Sequence, residues 1–210
     1  MPLLKIKDLN ATTQVLVWRI TESIEELFQS VNLTAISSER VESMKSEGHQ
    51  KGFLSVRRLL MEAGYTDFDL YYDQYGKPHL KNGRCISISH SHDFSLIVVS
   101  DENIGADLEI LKAKTLNLAP RFMDVSHLNN LSEQNQLIKA TVVWGIKESV
   151  FKIKNEAGIS FKDNIFESEF NLEDKKCTVA LRFNNKEEHF TILFDFIEDY
   201  IFVCAFEKKQ

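Results

Sequence analysis

The sequence is poor in the residues that build disulfide scaffolds and flexible linkers. Of its 210 residues, only three are cysteine, three are proline and eight are glycine. Cys85, Cys177 and Cys204 are an odd number, lie far apart and have no zinc-type spacing, so we expect reduced thiols. Cys85 and Cys204 lie in apolar stretches, which predicts small buried side chains and not catalytic thiols. The scarcity of proline and glycine excludes a disordered or linker-rich chain. We therefore expect the chain to fold compactly without disulfide bonds.

Long apolar runs and an excess of positive charge are also missing. The start of the chain lacks the apolar segment of a signal peptide, and no run approaches the length of a membrane span. The chain has 25 Lys and Arg against 31 Asp and Glu, a formal net charge of −6. This excludes a broadly cationic, non-specific nucleic-acid binder. We expect a cytoplasmic protein that binds neither membrane nor nucleic acid.

The first half of the sequence contains strand patterns on either side of a helical tract. Residues 15–20 are rich in β-branched and aromatic residues, which predicts a strand. The helical tract opens at Ser37 with a serine cap and ends at Gly64, with a break expected near Gly48 and Gly52. Further strands are predicted at residues 68–73, 86–90, 95–100 and 104–109.

The second half repeats this order of patterns. After the strand at 104–109, a strong helix is predicted from Ser132 to about residue 155. Strands follow near residues 177–183, 189–195 and 200–206. The order suggests an α+β fold, a pseudo-twofold pair of similar α/β halves, each a helix packed on a small, mainly antiparallel sheet. We divide the halves at residues 1–103 and 104–210.

Three carboxylates stand out in the second half. The two-residue period of a strand places Asp107 and Glu109 on one face, where they need a cation or a raised pKa to coexist. Helical spacing places Trp144, Glu148 and Lys152 on one face, although Glu–Lys at this spacing is also an ordinary exposed pair. Three carboxylates without a histidine-rich shell suit Mg²⁺, which suggests phosphoryl-type transfer.

Polar residues also follow strand ends in the first half. Alternation along Ile86-Ser87-Ile88-Ser89 predicts that the two serines face away from the core and are available to a ligand. His90 comes next, and Lys77 lies in the turn Gly76-Lys77-Pro78. Hydroxyls, an imidazole and an ammonium suit phosphate contacts, although such a turn is also typical of an ordinary hairpin.

These motifs, taken in order, resemble those of a known family. The set Gly76-Lys77-Pro78, Ser89-His90-Ser91, Gly105-x-Asp107-x-Glu109 and Trp144-x-x-Lys147-Glu148-x-x-x-Lys152 is similar to that of the 4′-phosphopantetheinyl transferases of the longer Sfp type. The resemblance covers nearly the whole chain. It implies transfer of the phosphopantetheine arm of coenzyme A to a serine of an apo acyl or peptidyl carrier protein. It also implies dependence on Mg²⁺, release of 3′,5′-ADP and a pseudo-twofold fold.

The resemblance further implies roles for individual residues. Asp107, Glu109 and Glu148 are expected to bind Mg²⁺, and Glu148 is also expected to be the general base for the carrier serine. Lys152 is expected to contact the pyrophosphate and offset charge on the leaving group. The other expected contacts to coenzyme A phosphates are Arg57, Lys77, Ser89 and His90.

Several positions qualify this assignment. Gly145 stands where the family has a larger residue, and inside a helix it costs about 1 kcal/mol relative to Ala, so we expect it to loosen the aim of Glu148. Residues 121–127 depart from the family pattern, which leaves the carrier's identity open.

Arg58 is an alternative to Arg57 as the contact to the nucleotide phosphates. Candidates for a basic surface that would meet the anionic substrate, a basic lip, are Arg57, Arg58, Lys77, Lys81, Arg84, Lys147, Lys152 and Lys154. Of these, we expect Lys81, Arg84 and Lys154 to be plain solvated surface charges.

Two other functions stay open at this point. A metal-dependent phosphoesterase would add His90 and His92, which a strand places on one face, to the carboxylates. A coenzyme A or carrier binding module without turnover would not need a metal triad beside a lysine.

We expect His49 and His127 to be ordinary surface histidines. A chain that holds both halves needs no partner to complete its site, so we expect a monomer.

Overall fold

The computed structural model describes residues 3–5 and 8–208. Within them the protein is mixed α and β, and strand pairing is antiparallel throughout. The strands are β1 (Leu3–Lys5), β2 (Gln14–Arg19), β3 (Leu70–Tyr72), β4 (Pro78–Leu80), β5 (Cys85–Ser91), β6 (Phe94–Ser100), β7 (Ile104–Ile110), β8 (Ile165–Glu167), β9 (Lys176–Phe183), β10 (Lys186–Ile197) and β11 (Tyr200–Glu207). The α-helices are α1 (Ile24–Gln29), α2 (Ala35–Ser43), α3 (Glu47–Glu62), α4 (Ala113–Leu118), α5 (Glu133–Lys154) and α6 (Phe161–Asn164).

The chain divides into two compact units, Met1–Glu102 and Asn103–Gln210. In the first unit, four strands form a sheet in the order β1-β2-β6-β5, and β3 and β4 form a separate hairpin. Helix α3 packs its apolar stripe, Val56, Leu59 and Leu60, against this sheet. The stripe has the three- and four-residue spacing that a buried helix face requires.

The predicted helical tract of the first unit is two helices, and its predicted start at Ser37 is wrong. Thr34 caps α2 by accepting a hydrogen bond from the backbone N–H of Ser37 at 3.2 Å. The Ser37 hydroxyl is instead used inside the fold, where it donates to Asp67 at 3.0 Å. The break falls between α2 and α3, where Ser46 caps α3, and not at the glycines within α3.

The alternation predicted for β5 is correct, but its polar face is not open to solvent. Ser87 is 3% exposed and Ser89 is 8% exposed. They pair across the sheet with Val98 and Leu96, which are themselves completely buried. Both serines are therefore buried in this structure, and the expectation that they face away from the core is wrong.

In the second unit, five strands form one sheet in the order β7-β11-β10-β9-β8. The core lies between α5 and this sheet, with Val142, Val143 and Ile146 of the helix packed near Val203 of β11. Helix α5 confirms the predicted long helix, because Ser132 caps its start and it ends at Asn155 in the left-handed conformation. No helix in the described part of the chain is both long and apolar enough to cross a membrane.

Candidate functional site

The predicted carboxylates Asp107 and Glu109 lie on β7, at the edge of the five-stranded sheet. Their strand pairs with β11, and their spacing puts both side chains on one face. Asp107 is 4% exposed, whereas Glu109 is half-buried. Because α5 packs on β7 and β11, these carboxylates lie in a partly dehydrated environment.

Two glycines allow α5 to lie this close to the sheet. A Cβ on Gly105 would be 2.0 Å from the carbonyl oxygen of Ser149 on α5. A Cβ on Gly145 would be 2.7 Å from Cγ2 of Val203 on β11. A larger residue at Gly145 would therefore require α5 or Val203 to shift. The expectation that Gly145 loosens the aim of Glu148 stays a prediction.

Helix α5 contributes three side chains to this face. The ammonium of Lys152 donates to Asp107 Oδ1 at 2.7 Å and to the carbonyl oxygen of Ala106 at 2.9 Å. The indole Nε1 of Trp144 donates to Glu109 Oε1 at 3.0 Å. The Glu148 carboxylate makes no hydrogen bond or ion pair within residues 3–5 and 8–208. Lys152 thus reaches across to β7 and does not form the ordinary helix-surface pair with Glu148.

The three carboxylates influence one another electrostatically. Burial raises the pKa of Glu109 to about 7, and the charge of Asp107 adds to the effect, whereas Trp144 and Lys152 oppose it. Burial also raises the pKa of Glu148, again with a contribution from Asp107 and against the effect of Lys152. We call Asp107, Glu109 and Glu148 the carboxylate cluster. It holds more negative charge than one ammonium can offset.

The chemistry of the carboxylate cluster fits a hard divalent cation such as Mg²⁺. The oxygens are of the type that Mg²⁺ prefers, and a cation among them would relieve their mutual repulsion. Within the described residues, however, no group of three or more His, Cys, Asp or Glu side chains is already arranged to hold a metal. Ammonium and indole donors occupy one oxygen each of Asp107 and Glu109.

A cavity of about 300 Å³ in the first unit contains two of the predicted coenzyme A contacts, Arg57 and His90. The imidazole of His90 is exposed and lies against Gly52 of α3, where a Cβ would be 3.2 Å from His90 Cγ. The ring of His49 is 6.0 Å from that of His90 and lines the same cavity, which the sequence did not indicate. We call this space the His90 cavity.

Arginine side chains also border the His90 cavity. Arg57 is 3% exposed, donates to Asp67 at 3.0 Å and stacks 3.4 Å from the ring centre of Phe53. Arg58 does not line the cavity and pairs with Glu62 at 2.8 Å, whereas Arg57 lines the cavity but is already paired with Asp67. Arg40 also lines the cavity, and sequence patterns gave no signal for it.

The other predicted phosphate contacts lie elsewhere. Ser89 is buried on the face of β5 opposite to His90. Lys77 lies in the β3–β4 hairpin, where its backbone N–H donates to Asp73 at 3.0 Å, and it does not line the His90 cavity. His92 follows the end of β5 with a φ of 47°, so the strand alternation that would align it with His90 does not reach it.

Lys147 does not belong to a basic lip. It is 1% exposed and donates to Glu167 and to the carbonyl oxygen of Ile165. Burial lowers the pKa of Lys147, against the effect of Glu167. His127 approaches the other oxygen of Glu167 at 3.3 Å, which sequence reasoning also missed. These residues line a second cavity, of about 600 Å³.

Two further members of the proposed basic lip are engaged in ion pairs. Lys154 pairs with Glu188 at 2.7 Å and with Glu207 at 3.1 Å. Arg84 pairs with Asp101 at 2.7 Å. Both cations therefore have acidic partners within their own unit, as the sequence reading of plain surface charges allowed.

Comparison with known proteins does not identify a family for this chain. No protein-family model matches the chain, and no curated protein sequence is significantly similar to it.

Proposed function

We propose that the protein is a Mg²⁺-dependent 4′-phosphopantetheinyl transferase. It would move the phosphopantetheine arm of coenzyme A to a serine of an apo acyl or peptidyl carrier protein and release 3′,5′-ADP. The observation that carries the proposal is the carboxylate cluster, in which Glu148 makes no hydrogen bond within the described residues and Lys152 lies beside Asp107. The proposal includes a cytoplasmic monomer whose two units are a pseudo-twofold pair of α/β halves.

The proposed reaction assigns distinct tasks to these side chains. Asp107, Glu109 and Glu148 would hold Mg²⁺, and the bound ion would neutralise charge on the pyrophosphate of coenzyme A. The carrier serine oxygen forms a bond to phosphorus as the bond from phosphorus to 3′,5′-ADP breaks. The serine proton passes to the Glu148 carboxylate. Burial suits Glu148 to this task because it raises the pKa and makes the carboxylate a stronger base.

Lys152 contributes a cationic side chain that is hydrogen-bonded to the cluster. Its ammonium offsets one negative charge at Asp107 and is only partly buried, so it is accessible to a phosphate oxygen. We propose that it stabilises the charge that develops on departing 3′,5′-ADP. A neutral residue at this position would leave the buried Asp107 charge without its ammonium.

The His90 cavity supports coenzyme A as the substrate. It presents the imidazoles of His49 and His90 and the guanidinium group of Arg40 beside aromatic rings, and the buried Arg57, paired with Asp67, forms part of its wall. Cations and aromatic faces together suit a nucleotide, since they pair with phosphates and stack on bases. We retain His90 and Arg57 as proposed nucleotide contacts. Lys77 and Ser89 remain proposals without support from this cavity.

Intact-mass spectrometry of an apo carrier protein tests the proposed function. The carrier is incubated with the protein, coenzyme A and Mg²⁺, and with EDTA as the control. The account predicts a mass gain of about 340 Da on the carrier that EDTA abolishes. Fatty-acid, polyketide and peptidyl carriers are all tried, because carrier choice is open. A failure to modify any of them would overturn the proposal and favour a binding module without turnover.

A further inference from the structure

Trp144 combines a fixed ring with a single polar contact to the carboxylate cluster. Its indole is half-buried and packs between Phe122, at a ring-centre distance of 5.1 Å, and Phe161, at 5.5 Å. Its Nε1 donates to Glu109 Oε1 at 3.0 Å. The two phenyl rings pack against the indole and restrict the orientation of its N–H.

This contact constrains the carboxylate of Glu109. Glu109 is half-buried on an edge strand, and the pairing of β7 with β11 fixes its backbone but not its terminal torsions. An indole N–H can only donate and does not titrate, so it always selects an acceptor oxygen. Holding Oε1 restricts the carboxylate plane and leaves its second oxygen for another ligand. Groups that hold metal ligands in this way commonly tune metal affinity.

We infer that Trp144 is a positioning residue for Glu109, through which it sets the divalent-cation affinity of the carboxylate cluster. The inference rests on the proposed function, because that function requires the cluster to bind a cation. The tryptophan would therefore belong to the site through its N–H, beyond the ordinary packing role of a buried aromatic ring.

Direct Mn²⁺ binding provides the test, because electron paramagnetic resonance detects free Mn²⁺ without any turnover. The full-length protein is titrated with Mn²⁺ in the presence and absence of coenzyme A. Trp144→Phe keeps the ring packing and removes the N–H, and we expect the Mn²⁺ Kd to rise about 10-fold. Glu109→Gln, measured as a separate single variant, should also weaken Mn²⁺ binding. The double variant should then bind no more weakly than Glu109→Gln alone, since the tryptophan acts through Glu109.

A matched control separates this effect from general loosening. Trp18 in the first unit also donates its Nε1 to a glutamate, Glu22, at 3.3 Å. Trp18→Phe therefore removes the same kind of bond from a glutamate that is not part of the carboxylate cluster, and it should leave the Mn²⁺ Kd within twofold of wild type. Thermal unfolding of both variants compares their folding. Raising Mg²⁺ should restore the transfer rate of Trp144→Phe, as expected for a lost metal affinity.

The outcomes distinguish this inference from the proposed function. If the wild type binds no Mn²⁺ with or without coenzyme A, the metal-dependent function fails, and the role of Trp144 fails with it. If the wild type binds Mn²⁺ and Trp144→Phe binds equally well, only the role of Trp144 is refuted. Additive losses in the double variant, or an equal loss in Trp18→Phe, would also refute it.

Discussion

Replacement of Gly105 by alanine is expected to destabilise the second unit and to displace helix α5. The new Cβ would lie 2.0 Å from the carbonyl oxygen of Ser149 and 3.0 Å from Cγ1 of Ile153. The first of these atoms belongs to the helix backbone and cannot rotate away. Helix α5 must therefore move from β7, which separates Glu148 from Asp107.

The expected magnitude combines two opposing effects. Alanine in a strand gains roughly 0.5–1 kcal/mol over glycine, because glycine loses more conformational freedom on folding. Overpacking against a rigid neighbour costs up to about 3 kcal/mol. The net loss from Gly105→Ala is therefore about 2 kcal/mol. For a unit of this size, such a loss lowers Tm by roughly 10 °C.

Denaturant unfolding and carrier modification are measured on the same samples. Gly48→Ala is the control, because a Cβ there meets only the Ser46 hydroxyl, at 3.8 Å, and the site lies in helix α3. That variant should be equally or more stable, by up to about 1 kcal/mol. If Gly105→Ala matched wild type in stability and transfer rate, the close packing of α5 on β7 would be refuted.

The remaining predictions concern packing, a buried ion pair and pH. Gly145→Ala should lower the free energy of unfolding by about 1 kcal/mol, because contact with Val203 outweighs the helix propensity of alanine; greater stability in urea would contradict this. Asp67→Asn should cost about 3 kcal/mol by leaving the buried Arg57 without its carboxylate, and an unchanged urea midpoint would refute that. Glu109 has a pKa of about 7 in the fold against an ordinary 4.5, so the folded state holds its proton longer than the unfolded chain. Its contribution to stability is therefore present below about pH 4.5 and is lost as pH rises towards 7, and Glu109→Gln should flatten that part of the pH profile.

Local sequence patterns were sufficient to predict most of the helices and strands. The apolar pattern and the serine cap predicted the helix from Ser132, and the structure places it at Glu133–Lys154. The predicted strand at 95–100 occurs as Phe94–Ser100, since a buried strand carries a continuous apolar run. These elements depend on residues adjacent in the chain, which is why the pattern sufficed.

The first helical tract was misread because a distant residue decides its start. Serine is a common N-cap residue, yet the Ser37 hydroxyl donates to Asp67, thirty positions later, and Thr34 caps the helix. The burial of Ser89 has the same kind of origin. Alternation identified its face, but what covers that face depends on packing that a local pattern does not contain.

The site was predictable in its residue types but not in its pairings. Periodicity grouped Asp107 with Glu109 and Trp144 with Glu148, and the structure brings all four to one face. It did not indicate that Lys152 pairs with Asp107 or that Gly145 sets the helix distance. Both features arise where α5 meets β7 and β11, between residues about 40 or more positions apart.

The transfer rate of Glu148→Gln tests the central claim most directly. The variant keeps the size of the side chain but removes the charge that would bind the metal and accept the serine proton. Mass spectrometry should show carrier modification at least 100-fold slower than in wild type. Glu133→Gln, at the exposed start of the same helix, should react at the wild-type rate. A Glu148→Gln rate within a few-fold of wild type would contradict the assignment of the carboxylate cluster as the catalytic site.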